Sequence, residues 1–127
     1  MQTVGIVLNV GAEQSGEFER GFREMEAPIW EDLHGRGLLV MATLSKLDIT
    51  TLAVEGAVQY LVVAIFATDE GHHAHDSDPR FEAWNKRADT YQIAEPYVFA
   101  ATPWSAPAAN GAPGPAVGLA LRCHAGV

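Results

Sequence analysis

The order in which the hydrophobic period changes along the chain constrains its fold more than any other feature. Apolar runs typical of strands occupy residues 3–10, 38–47, 57–68 and 97–102. Helical spacing replaces them in two places. The first helical stripe comprises Phe18, Phe22, Met25, Ile29 and Leu33, with Glu19 and Arg23 turned outward, and the second comprises Phe81, Trp84, Ala88 and Tyr91. The elements therefore follow the order β-α-β-β-α-β.

This order predicts an α+β protein of the ferredoxin-like kind, with an antiparallel four-stranded sheet and both helices on one face. The other face should not meet water, because Val7, Val63 and Ile65 make it strongly apolar. Two sheets packed face to face would cover it. We therefore expect the protein to be a homodimer.

Local signals set the ends of the helices. Ser15 is a predicted N-cap, and Pro28 should kink the first helix because it removes a backbone donor. The segment around His72 is limited to a single helical turn by Gly71 and by the Ser-Asp-Pro sequence after it. Asp78 should cap the second long helix, and Pro96 should stop it.

Length and composition indicate one folded domain followed by an arm. The chain has 127 residues, of which residues 1–104 form the predicted domain. Residues 105–127 are rich in Pro, Ala and Gly and form a predicted C-terminal arm. Cys123 is the one cysteine, which excludes a disulfide within the chain and a thiolate zinc site.

The charge pattern argues against two kinds of partner. Sixteen Asp and Glu residues against eight Lys and Arg give a formal charge of −8, which repels nucleic acid. The basic residues form no run that would bind anionic lipid, and the longest apolar run, residues 57–67, is too short to cross a bilayer. The first residues do not resemble a signal peptide, so we expect a cytoplasmic protein.

The strand order and one stretch of sequence resemble a known superfamily. The stretch ATDEGHHAHDSDPRFEAWNKRA is similar to the dimeric α/β barrel proteins, in particular the antibiotic biosynthesis monooxygenase-like domains. The shared features are an aromatic residue that ends the third strand, an Ala-His pair and a Ser-x-x-Phe-x-x-Trp-like opening of the second helix. Here these are Phe66, Ala74 with His75, Ser77, and Phe81 to Trp84, with one residue of offset in places.

The resemblance covers residues 3–102 and implies a range of activities, among them oxygenases, isomerases and cyclases. Haem-degrading members use an Asn on the first strand, a Trp at the end of the third strand and a His on the second helix. Asn9 matches, but Phe66 stands in place of the Trp, and Trp84 or Asn85 stands in place of the His. We therefore expect no haem.

The resemblance favours a cofactor-free enzyme that acts on an aromatic or polyketide-like molecule in a pocket between the helices and the sheet. Such chemistry needs a dry cavity and a base. We predict His75 as the base, since imidazole titrates near neutral pH, and Asn9 as the group that holds a carbonyl oxygen. The predicted pocket walls are Trp30, Tyr60, Phe66, Trp84 and Tyr91.

Two alternatives stay open. If the segment around His72 is helical, then His72, His75 and Asp76 share a face and suit a divalent metal, a weaker interpretation than the cofactor-free pocket. The second alternative is a non-catalytic dimer of the same fold that binds a small ligand or has a structural role. An open pocket would favour the enzyme, and a filled core would favour the non-catalytic dimer.

Overall fold

A computed structural model describes residues 1–104 of the chain. Residues 105–127, where the sequence predicts the C-terminal arm, lie outside the described part. The four strands are β1 (Gln2–Gly11), β2 (Leu39–Lys46), β3 (Ala57–Phe66) and β4 (Gln92–Ala101). The α-helices are α1 (Ser15–Gly21), α2 (Ala27–Gly35), α3 (Asp69–Asp76) and α4 (Pro79–Asp89), with a 3-10 turn at Ala12–Gln14 and a π-helical turn at Phe22–Glu26.

The strands form one antiparallel sheet in the order β2-β3-β1-β4. This is the ferredoxin-like arrangement that the sequence predicts, and β3 is central, as its apolar residues on both faces indicate. Leu8 and Val10 of β1 face the helices and pack in the core. Because successive side chains alternate across a strand, Val7 and Asn9 point to the opposite face.

The first helical segment is interrupted before Pro28. The π-helical turn Phe22–Glu26 separates α1 from α2, and Pro28 occupies the first turn of α2. Proline is tolerated there, because the first turn of a helix has no partner for the missing N–H. The π-helical turn adds a residue to the helical ladder just before the proline. Ser15 is not the N-cap, because it already lies inside α1, and its hydroxyl donates to the Ala12 carbonyl over 3.1 Å.

The prediction of a single turn around His72 is wrong, because α3 has eight residues. Thr68 caps it by accepting a hydrogen bond from the backbone N–H of Gly71. The predicted cap at the start of α4 is confirmed, since the Asp78 side chain accepts from the Arg80 N–H over 2.8 Å. The connection from β3 to β4 along the chain therefore contains two helices, α3 and α4.

Pro96 does not stop a helix, and the prediction that it does is wrong. The helix ends at Asp89, and Pro96 lies inside β4. β4 is an edge strand that pairs with β1 alone, and their register shifts between Val7 and Asn9. A strand at the edge of a sheet, and above all a bulge, accommodates a residue that lacks a backbone donor.

The helices cover one face of the sheet and leave the other open. The covered side holds two neighbouring groups of buried side chains, one around Phe18, Tyr60 and Trp84, the other around Ile29, Leu33 and Phe66. On the open side, a shallow apolar groove runs over β1, β3 and β4. Its lining includes Thr3, Gly5, Leu61, Val63, Phe99 and Ala101.

Candidate active-site cleft

A cleft of about 370 Å³ opens between the first helical segment and strands β2 and β3. Its size falls within the range of small-molecule sites. The lining residues are Glu19, Phe22, Arg23, Ala27, Trp30, Ala42, Thr43, Leu44, Lys46 and Tyr60. The interruption before Pro28 helps to shape one wall, since Phe22 and Arg23 lie in the π-helical turn and Ala27 and Trp30 in α2.

A polar group of three side chains lies at the β2 end of the cleft. The Tyr60 hydroxyl donates a 2.6 Å hydrogen bond to Glu19 Oε2, and Lys46 Nζ is 3.4 Å from the same oxygen. Lys46 Nζ also lies 6.0 Å from the centre of the Tyr60 ring. These contacts join the helical segment to both β2 and β3.

The polar group sets the charge state of its members. The Tyr60 hydrogen bond is the main cause that lowers the pKa of Glu19, and Lys46 and Arg23 lower it further. Burial raises the pKa of Tyr60 well above its usual value, and the hydrogen bond to Glu19 acts in the same direction. At neutral pH the cleft therefore presents the carboxylate of Glu19 and the neutral phenol of Tyr60.

The apolar part of the cleft is aromatic. The rings of Phe22 and Trp30 meet edge to face, with their centres 4.9 Å apart. Tyr60 packs against Phe18 at 4.7 Å, and Phe18 against Trp84 at 5.7 Å, so the ring cluster continues behind the wall into the core. The cleft is thus a gap at the edge of a filled aromatic core.

His75, the predicted base, lies in a separate buried cluster. Its Nε2 is 2.5 Å from Glu26 Oε1, and its Nδ1 is 2.9 Å from Asp76 Oδ1. Burial opposes the positive charge, but the hydrogen bonds to Asp76 and Glu26 outweigh it and raise the pKa of His75 to about 9. At neutral pH the ring is an imidazolium that donates from both nitrogens, and it is not among the residues that line the cleft.

The structure brings together only some of the predicted site residues. Trp30 and Tyr60 line the cleft. Trp84 and Tyr91 are buried in the core next to it, and Phe66 stacks on His72 with 4.9 Å between the ring centres. Each of these residues lies on the covered side of the sheet.

Asn9 is the exception, since it points to the open side. Its amide donates to the Glu95 carbonyl over 2.9 Å, and its Oδ1 accepts from Gln59 Nε2 over 2.7 Å. These two hydrogen bonds link β1 to β4 and to β3. The sheet therefore separates Asn9 from His75.

The metal alternative finds no support in the geometry. Within residues 1–104, no group of three or more His, Cys, Asp or Glu side chains is placed to hold a metal ion. Asp76 contacts both His72 and His75, at 3.1 and 2.9 Å. However, the second ring nitrogen of His75 contacts Glu26, and the second ring nitrogen of His72 contacts Gln2. The imidazoles thus have protein partners at both nitrogens.

The sequence does not predict Glu19 and Lys46 as site residues, although both line the cleft, nor does it predict that Glu26 pairs with His75. Glu19 fits the outward face of the first helix by its spacing, and Lys46 is the last residue of a strand. Their partners lie 41 and 49 residues away along the chain, Tyr60 for Glu19 and His75 for Glu26. The periodic pattern carries no signal for such contacts.

The fold defines a class of protein, the ferredoxin-like α+β proteins. Several solved structures share this fold. A protein from Nitrosomonas europaea described as an antibiotic biosynthesis monooxygenase matches with a TM-score of 0.66 and 10% identity, over 83% of this chain and 100% of the other. A protein from Caulobacter crescentus with the same description matches at 0.64 and 19%, over 79% and 86%.

A mutant of SnoaB, a cofactor-independent oxygenase from Streptomyces nogalater, matches with a TM-score of 0.59 and 12% identity, over 83% of this chain and 95% of the other. No protein-family model matches the sequence, and no curated protein matches it either. The chain therefore has the antibiotic biosynthesis monooxygenase-like fold that the sequence resemblance implies. Within residues 1–104, no helix combines the length and the apolar character needed to cross a membrane.

Proposed function

We propose that the protein is a cofactor-independent oxygenase that binds an aromatic or polyketide-like small molecule in the cleft. The observation that carries the proposal is the cleft itself, about 370 Å³ in volume, with aromatic walls and the polar group of Glu19, Tyr60 and Lys46 at one end. The SnoaB match supports it, because that protein shares the fold and is a cofactor-independent oxygenase.

The chemistry draws its electrons from the substrate. An aromatic ketone with an acidic CH₂ group, such as anthrone, loses a proton to give an anion that reacts with oxygen. The CH₂ group becomes a carbonyl, one oxygen atom enters the product, and the other leaves as water, so no external reductant is needed. The protein has to accept the proton, stabilise the anion and exclude water.

The cleft residues suit these roles. Lys46 stabilises the developing oxyanion, and the aromatic walls of Phe22 and Trp30 hold the ring system. Glu19 is the carboxylate within the cleft and accepts the proton. Glu26 and Asp76 engage both ring nitrogens of His75, so we assign this residue the structural role of holding α3 in place.

We also propose that the working unit is a homodimer in which a second copy covers the open face of the sheet. Phe99 on that face is 57% exposed, and Leu61, Val63 and Ile65 are half-buried. An apolar surface of this kind usually marks an interface.

Oxygen uptake with anthrone as the probe tests the proposal. We expect uptake and anthraquinone formation in a ratio of one to one, at a rate well above that in buffer. The variant Ala42→Leu places a larger side chain in the cleft and should reduce the rate at least about tenfold. Ala83→Leu, on the exposed face of α4, is the matched control and should keep the rate. A rate no higher than in buffer would reject the oxygenase proposal.

A non-catalytic ligand-binding dimer is the second candidate, and one observation favours it. Glu19 accepts a hydrogen bond from Tyr60 and has a lowered pKa, which makes it a weak base. If anthrone changes the fluorescence of Trp30 without being oxidised, the binding function is the correct one.

A further inference from the structure

Charge is unevenly distributed between the cleft and the rest of the protein. The whole chain carries a formal charge of −8. Of the described residues that line the cleft, however, Arg23 and Lys46 are cationic and Glu19 is anionic. The cleft is thus a locally positive site on an acidic protein, and the remote carboxylates are largely screened at physiological salt.

Glu19 leaves most of the hydrogen-bond donors of Lys46 and Arg23 available. Lys46 Nζ is 3.4 Å from one carboxylate oxygen, and Arg23 approaches the other oxygen only to 4.0 Å. Tyr60 already donates the short hydrogen bond to Glu19. An ammonium has three N–H donors and a guanidinium has five, so most of their donors are available for a ligand. Both side chains are also more than half exposed and can turn toward one.

The aromatic walls and the available donors lie in the same cleft. Phe22 and Trp30 provide the apolar surface, while Lys46 and Arg23 provide the cationic end. An uncharged aromatic ligand would leave these donors to water. A ligand that combines a flat ring system with a carboxylate would satisfy both parts.

We infer that the cleft selects an aromatic carboxylate, with Lys46 and Arg23 as the residues that determine this preference. The inference rests on the proposed function and names its substrate class. Lys46 is the more important of the two, because it lies next to the Tyr60 ring and closer to Glu19. Arg23 lies near the other oxygen of Glu19, and its guanidinium can donate two parallel hydrogen bonds to a carboxylate.

Calorimetric titration with 2-naphthoate and 2-naphthamide provides the test, because the two probes have the same ring and differ in charge. We expect the full-length protein to bind naphthoate about five times more tightly than naphthamide, as two partly exposed ion pairs allow. Lys46→Met keeps the apolar stem and removes the charge. It should weaken naphthoate binding about threefold and naphthamide binding much less.

Lys86→Met is the matched control, because Lys86 lies on the exposed face of α4, where it forms an exposed ion pair with Glu82. Arg23→Met gives an independent variant at the second cation of the cleft, with the same expected direction. Equal affinity of the native protein for both probes, or an equal loss in Lys86→Met, would overturn the preference but leave the cleft as a ligand site. If neither probe binds, the cleft is not an aromatic site, and the proposed function fails with the inference.

Discussion

Glu26 and His75 meet inside the protein, with 2.5 Å between Glu26 Oε1 and His75 Nε2. Glu26 ends the π-helical turn and His75 lies in the last turn of α3, so the contact fixes α3 against the first helical segment. The two side chains are 5% and 11% exposed. The second oxygen of Glu26 is buried and has no hydrogen-bond partner among the described residues. His75 is therefore the group that compensates this buried carboxylate.

The free energy of unfolding should depend on pH through His75. Its pKa is about 9 in the folded protein, against 6.5 for an ordinary histidine. A raised pKa means that the stabilisation is complete below about pH 6.5 and is lost as the pH rises through 9. We expect the free energy of unfolding to be about 3 kcal/mol lower at pH 9.5 than at pH 6.5. Urea unfolding at the two pH values measures this difference. Asp76, which also contacts His75, has a lowered pKa and loses its contribution only in acid.

The variant His75→Gln isolates this effect. It should be less stable than the native protein at pH 6.5 by about 3 kcal/mol, because it leaves Glu26 without a cationic partner. The difference should become small at pH 9.5. The double variant Glu26→Gln/His75→Gln should regain part of the stability, since no buried charge remains. A native protein that is equally stable at both pH values would contradict this account of His75.

A second prediction concerns the contact between α1 and α4 at Gly21. A Cβ at this position would lie 2.6 Å from the ring of Trp84, which is itself buried. Gly21→Ala should therefore destabilise the protein by about 1–3 kcal/mol, as overpacked cores do. Gly16→Ala in the same helix has open space and should raise stability by up to about 1 kcal/mol. Thermal unfolding of both variants compares the effects, and similar midpoints would contradict the packing argument.

The third prediction tests the open face of the sheet. Val63→Lys places a charge in the apolar groove. In a dry interface this charge has no partner, so the variant should be monomeric or unfolded, whereas the native protein should sediment as a dimer at micromolar concentration. Ile49→Lys is the control, because Ile49 is 81% exposed in the segment between β2 and β3. A native protein that sediments as a stable folded monomer would reject the dimer.

The fourth prediction addresses the polar group in the cleft. Tyr60→Phe removes the hydrogen bond that contributes most to the lowered pKa of Glu19. The pKa of Glu19 should rise toward the ordinary value of 4.5, which a carbon-detected NMR titration of the side-chain carboxyl measures. Stability should fall by about 1 kcal/mol. Tyr97→Phe on β4 is the control, and an unchanged Glu19 titration in Tyr60→Phe would show that the hydrogen bond has no such effect.

Local patterns were sufficient to predict most of the fold. Apolar runs located β1, β2, β3 and the second half of β4, and the stripe from Phe18 to Leu33 located the first helical segment. The first half of β4 was missed, because residues 92–95 were assigned to the preceding helix. The apolar character of β3 on both faces placed it inside the sheet. Pro96 shows where local reasoning failed. Its effect depends on which neighbour its strand has, and β4 lies at an edge, where a missing donor is tolerated.

The candidate site was predictable only in part. The sequence determined that Tyr60 and Phe66 share one face of β3, because side chains alternate across a strand. The tertiary structure decided that the cleft opens beside β2, that Glu19 joins Tyr60 and that Glu26 joins His75. These contacts cross 41 and 49 residues of chain. The packing of whole helices and strands decides which distant residues meet, and the hydrophobic period of a single helix or strand does not predict it.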